Sequence, residues 1–239
     1  MRTFTDLIFH GAAWIAWKTY SLPKSYKENS IPYWDDIKKD ITTGSILLCS
    51  GTARTSRLIA RFQGTDFSHT SMIVKKDGEF YIWTTDSITI LKNHSKKLNG
   101  QCFSGAHMLK LEDYFSNVDY FYKSPDDTKY RFAIVKMKAN LVNEEELFSL
   151  IDNYTATPFP APPQQLLYDW ILGQIGINTG LKTAFCSQLL AHTYFKLGWL
   201  KESFPANQFG PGVFAKTERI NTYLNNSIKL YKPQYFRVK

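Results

Sequence analysis

Short apolar runs bounded by turn residues fill the first half of the chain, and longer stretches with apolar side chains three and four positions apart fill the second. Ile46-Leu47-Leu48-Cys49 follows the turn-like Thr43-Gly44-Ser45 and has the length of a strand. Ser50-Gly51-Thr52 breaks that strand, after which Leu58, Ile59 and Phe62 recur at helical spacing over 54–63, with Gly64 as a C-terminal stop. Residues 69–75 and 79–85 predict two strands joined through Lys76-Asp77-Gly78, since Asp-Gly suits a two-residue hairpin turn. Further strands are expected at 106–111 and at 131–138, where Phe132, Ile134, Val135 and Met137 favour extended backbone. The intervals 93–100 and 116–129 read as loops.

Helical patterns then take over. Asn143 is placed to cap a helix beginning Glu144-Glu145-Glu146, with Glu146 at the third position of a capping box. Thr157-Pro158-Phe159-Pro160-Ala161-Pro162-Pro163 excludes a helix interior and predicts an ordered loop leading into a helix over 164–175. A last helix is expected over 186–197, ended by Gly198, with Cys186, Leu189, Leu190, Thr193, Tyr194 and Leu197 on one face. There is no internal repeat and no low-complexity segment.

Length and composition narrow the possibilities. The chain has 239 residues, 44% of them hydrophobic and 15% aromatic, enough for a substantial core and against a disordered chain. Its formal charge of +8 attracts anionic surfaces, but the basic residues form no long tract, so a solvated basic surface is the reading and nucleic acid is not an expected partner. Three cysteines, Cys49, Cys102 and Cys186, without CxxC spacing predict neither a disulfide framework nor a structural zinc site. The five histidines offer no metal-binding pair, so no metal and no cofactor is expected. A reducing compartment fits this cysteine usage.

The N-terminal run 7–17 is apolar but far shorter than the roughly 20 residues that span a bilayer as a helix. It reads as a helix packed on the domain. Its alternative is an interfacial anchor within residues 1–22, because Trp14 and Trp17 followed by Lys18 suit an anionic membrane surface. Residues 1–40 are accordingly an N-terminal helical extension, and 41–239 the functional domain. No obligate protein partner is predicted.

Two residues carry candidate chemistry. Cys186 opens a helix, where partial positive charge and free backbone N–H groups lower a thiol pKa and can stabilise an oxyanion. His69 opens a strand and can serve as base. Each also has a structural reading, Cys186 as a small buried hydrophobe and His69 as a satisfied polar residue. The two are far apart in sequence, so only the fold can bring them together.

The surrounding motifs are Gly44-Ser45-Ile46-Leu47-Leu48, Ser56-Arg57-Leu58-Ile59, Phe67-Ser68-His69-Thr70-Ser71-Met72-Ile73 and Phe185-Cys186-Ser187-Gln188-Leu189. Over about residues 43–200 they resemble the permuted papain-like amidases, the NlpC-type cysteine hydrolases of bacteria and poxviruses, with motifs Gly-Asp-Ile/Leu-Leu, Ser-His-Val-Gly-Ile and Tyr-Cys-Ser-Glu-Leu. Histidine before cysteine is the mark of permutation. The resemblance implies an α+β fold in which a small antiparallel sheet carries His69 and packs against the helix that starts at Cys186. It also implies Cys186 as nucleophile, His69 as base and a third polar residue orienting the imidazole.

The family's glutamate on the strand after the histidine hairpin aligns with Thr84, and Asp86 lies on the same strand face by the period of two, so both Thr84 and Asp86 are candidate orienting residues. Ser45 and Gln188 replace the family's usual Asp and Glu. The expected activity is hydrolysis or transfer at an amide, ester or thioester of a peptide, lipid or other acyl substrate through an acyl-enzyme. The alternatives are a lipid acyltransferase or phospholipase of the same superfamily, and a catalytically inactive binding or virion structural protein. A viral origin would place the protein in the host cytoplasm or the virion, with membrane association if the N-terminus anchors it.

Overall fold

The computed structural model describes residues 31–51, 54–87, 90–117, 131–138, 142–161, 163–201 and 203–238. Both readings of the N-terminal run fall on residues outside these. The helices are α1 (Trp34–Ile37), α2 (Arg54–Phe62), α3 (Leu111–Ser116), α4 (Glu144–Tyr154), α5 (Pro163–Gln174), α6 (Cys186–Lys196), α7 (Pro211–Ala215) and α8 (Thr217–Tyr223). The strands are β1 (Ile46–Ser50), β2 (His69–Lys76), β3 (Glu79–Asp86), β4 (Gly105–Lys110), β5 (Arg131–Val135), β6 (Met137–Lys138), β7 (Lys229–Leu230) and β8 (Gln234–Phe236). This is a mixed α+β architecture, as expected.

Six strands form an antiparallel sheet in the order β4-β3-β2-β1-β5-β8, while β6 and β7 pair separately. The β2–β3 turn contains only Asp77 and Gly78, both with positive φ (53° and 82°), as a turn matching the twist of the strands requires. The expected single strand over 131–138 is split at Lys136: β5 stays in the large sheet and β6 leaves it to pair with β7. Residues at the end of β4 continue directly into α3, which the polar spacing of Glu112 and Asp113 concealed.

Both faces of the sheet are covered, which explains why Ile46-Leu47-Leu48-Cys49 is apolar without alternation. Ile46 and Leu48 join Met72, Val74 and Trp83 in a core shared with α4, α6, α7 and α8. Leu47 and Cys49 join Ile73, Ile82 and Leu109 on the opposite face, closed by Trp34 and Ile37 of α1 and by Tyr114 and Phe115 of α3. There Trp34 makes edge contacts with Phe80 (5.5 Å) and Phe115 (5.6 Å) between ring centroids. The segment preceding residue 41 thus contributes apolar side chains to the same core as β1.

Candidate active site

Helix α6 is buried on nearly every side over its first two turns, from Cys186 to Ala191, and again at Thr193 and Tyr194, a wider contact than the predicted stripe. Strand β3 clamps it. Trp83 Nε1 donates to Thr193 Oγ1 (3.0 Å), and Thr85 Oγ1 donates to the Ala184 carbonyl just before the helix (3.1 Å). The Tyr194 hydroxyl donates to the Gly44 carbonyl, tying the far turn of α6 to the start of β1. Ser45, buried beside it, accepts from Met137 N–H (3.2 Å), so the Gly44-Ser45 motif holds β1, β6 and α6 together.

Between Trp83 and Thr85, Thr84 turns to His69: its Oγ1 lies 2.9 Å from His69 Nε2 and donates to the Thr70 carbonyl at 3.4 Å. A hydroxyl has one proton to give. With that proton on the Thr70 carbonyl, Thr84 accepts from Nε2–H, which leaves the Nδ1 lone pair of a neutral His69 for the thiol.

The fold brings His69 beside Cys186, near enough for each to act on the other's charge. Burial alone would push the Cys186 thiol up, yet the charge and hydrogen bond of His69, with backbone N–H groups of Thr70 and Ser187, hold it below the ordinary thiol value. The same pairing works on His69. Burial disfavours the imidazolium, but the Cys186 sulfur and the Asp86 carboxylate outweigh it and hold the ring above the ordinary imidazole value. The two groups therefore favour a thiolate–imidazolium pair.

Asp86 does not reach His69 by a hydrogen bond; its Oδ1 is 3.2 Å from His107 Nε2, and His107 Nδ1 donates to the Phe103 carbonyl (3.0 Å). Asp86 acts on His69 through its charge. His107 is the site residue that pattern reading missed. It sits opposite Thr84 in the β3–β4 register, and only that pairing places it beside Asp86. Gln188 faces away from the thiol, donating to the Gly180 carbonyl (2.8 Å) and fastening the loop before Cys186 to α6. Of the other cysteines, Cys49 is buried on the opposite core face with Sγ 3.7 Å from the Tyr114 hydroxyl, and Cys102 is exposed.

Among the described residues no three His, Cys, Asp or Glu side chains gather as metal ligands, and no helix is long and apolar enough to cross a membrane. No protein-family model matches the chain, and no curated protein is significantly similar to it. Among solved structures it is similar to the metalloprotein yiiX from Escherichia coli O157:H7. That match has 15% identity and a TM-score of 0.43, covering 80% of this chain and 97% of the other.

Proposed function

We propose that this protein is a cysteine hydrolase of the permuted papain-like, NlpC type, acting on an amide, ester or thioester carbonyl. The observation that carries the reading is Cys186 at a helix N-terminus beside His69, whose Nε2 lies 2.9 Å from Thr84 Oγ1. His69 Nδ1 takes the thiol proton, and the sulfur attacks the carbonyl carbon to give a tetrahedral adduct. The Cys186 N–H at the start of α6 is directed at the oxyanion. Collapse of the adduct passes the proton from His69 to the leaving amine, alcohol or thiol and leaves an acyl-enzyme, which water or another acceptor then cleaves with His69 as base.

Thr84 and Asp86 divide what a single glutamate does in the related enzymes. Thr84 selects the tautomer and fixes the ring, and Asp86 supplies negative charge to the imidazolium from a distance. Intact-mass analysis after exposure to a panel of activated thioesters and esters tests the proposal. One acyl adduct should form, map to Cys186 and vanish in both Cys186→Ala and His69→Ala. An unmodified wild-type protein across the panel, or an adduct that survives His69→Ala unchanged, would contradict it.

A further inference from the structure

Helix α5 is turned inside out. Across 158–181 the only charged side chain is Asp169, and it is buried against the body of the protein at 4% exposure. Gly173, one turn on, lies so close to the 206–208 turn that a Cβ would stand 2.4 Å from Gln208 N and 2.5 Å from the Asn207 carbonyl carbon. Asn207 Nδ2 donates to the Asp169 carbonyl (2.6 Å), Gln165 donates to Asp169 Oδ1 (2.7 Å), and the exposed Gln174 is tied to the Gln208 carbonyl (2.8 Å).

The large side chains that face outward from 168 to 177 are mainly apolar, with Gln174 exposed beside them. Tyr168, Ile171 and Ile175 fall within about 60° of one another on a helical projection. They are 55%, 47% and 68% exposed, and Ile177 just beyond the helix is 48% exposed. Half of the large hydrophobic side chains exposed among the described residues lie in this ten-residue stretch. Such a contiguous patch marks an interaction site.

We infer that the outer face of α5 with Ile177 seats the protein on an anionic lipid bilayer. An aromatic and three isoleucines with no exposed charge between them match the acyl boundary of a bilayer. Exposed charge is confined to the edge of the patch, at Lys182, so its apolar centre offers a protein partner no charge to pair with. The molecule's net charge of +8, with exposed Lys182 following the patch, supplies the attraction to anionic headgroups. The segment that carries the patch also runs into the candidate site. Ala184 N–H donates to the Pro158 carbonyl (2.9 Å), closing the segment at its base beside Cys186, and Gln188 holds its return loop. Presentation of a lipid acyl group to Cys186 rests on the proposed hydrolase reading; the seating itself does not.

Sedimentation of the full chain with phosphatidylcholine vesicles, with and without phosphatidylserine, tests this. Wild type and Cys186→Ala should both bind the phosphatidylserine vesicles, more weakly at high salt. The double variant Ile171→Glu/Ile175→Glu should bind about tenfold less or weaker still, and Phe62→Glu, an exposed apolar position outside the patch, should bind as wild type does. Should the glutamates unfold the helix, Ile175→Ser/Ile177→Ser at its end replaces them with the same expectation. Equal binding by wild type and a folded patch variant would overturn the inference, assigning any lipid affinity elsewhere in the chain. So would absence of vesicle binding, including a case in which the patch variants instead abolish self-association. A Cys186→Ala protein that binds vesicles but forms no acyl adduct leaves the seating intact, and failure of acylation in wild type bears on the hydrolase reading alone.

Discussion

Thr84, an uncharged residue, is the side chain that meets the His69 ring. With its own proton on the Thr70 carbonyl, Thr84 sets which ring nitrogen of a neutral His69 carries the proton. Thr84→Val keeps the shape and removes the acceptor, so acylation of Cys186 should slow about ten- to hundredfold while Thr84→Ser stays close to wild type, both read as acyl-adduct formation rates. Asp86 contributes charge without contact. Asp86→Asn should therefore lower the pKa of His69 and move the alkaline limb of the reactivity profile to lower pH, leaving the acid limb nearly in place. A profile unchanged by Asp86→Asn would remove Asp86 from the site. Cys186, His69, Thr84 and Asp86 were all visible as candidate site residues in short motifs. The division of labour between Thr84 and Asp86 was not, because His107 claims Asp86 only through the β3–β4 register, a long-range pairing that no local pattern encodes.

Among the elements, those with strong local signals formed where the pattern placed them. The Asp77-Gly78 hairpin and the Asn143 cap, whose Oδ1 accepts from Glu146 N–H at 3.2 Å, depend on interactions within a few residues, and the helix opening at Cys186 also begins where its apolar spacing placed it. Elements that depend on distant partners stayed hidden. Strand β8 has three residues and exists because β5 pairs with it, and the split at Lys136 follows from β6 pairing with β7. Helix α1 has four residues, too few to read from periodicity, yet it buries Trp34 against Phe80, Phe115 and Phe236. Trp34→Ala should accordingly cost about 3–5 kcal/mol in chemical denaturation, the penalty for emptying a large core site. A loss below about 0.5 kcal/mol, the level of a surface change, would show that α1 is not part of the cooperative core.

At the scale of the whole molecule, a sheet covered on both faces holds a buried thiol beside a half-buried imidazole. Neither would favour its charged form alone, since burial opposes both. Together they stabilise each other's charge. The signs give a window: the Cys186 thiolate persists as pH falls below the roughly 8.5 of a free thiol, and the His69 imidazolium persists as pH rises above the roughly 6.5 of a free imidazole. The most direct test is the pH dependence of alkylation at each cysteine, followed by peptide mapping in the folded protein. Cys186 should react rapidly with an acid limb well below that of a free thiol, lose that limb in His69→Ala, and differ from exposed Cys102. An acid limb at Cys186 that matches Cys102 and is indifferent to His69→Ala would contradict the paired site.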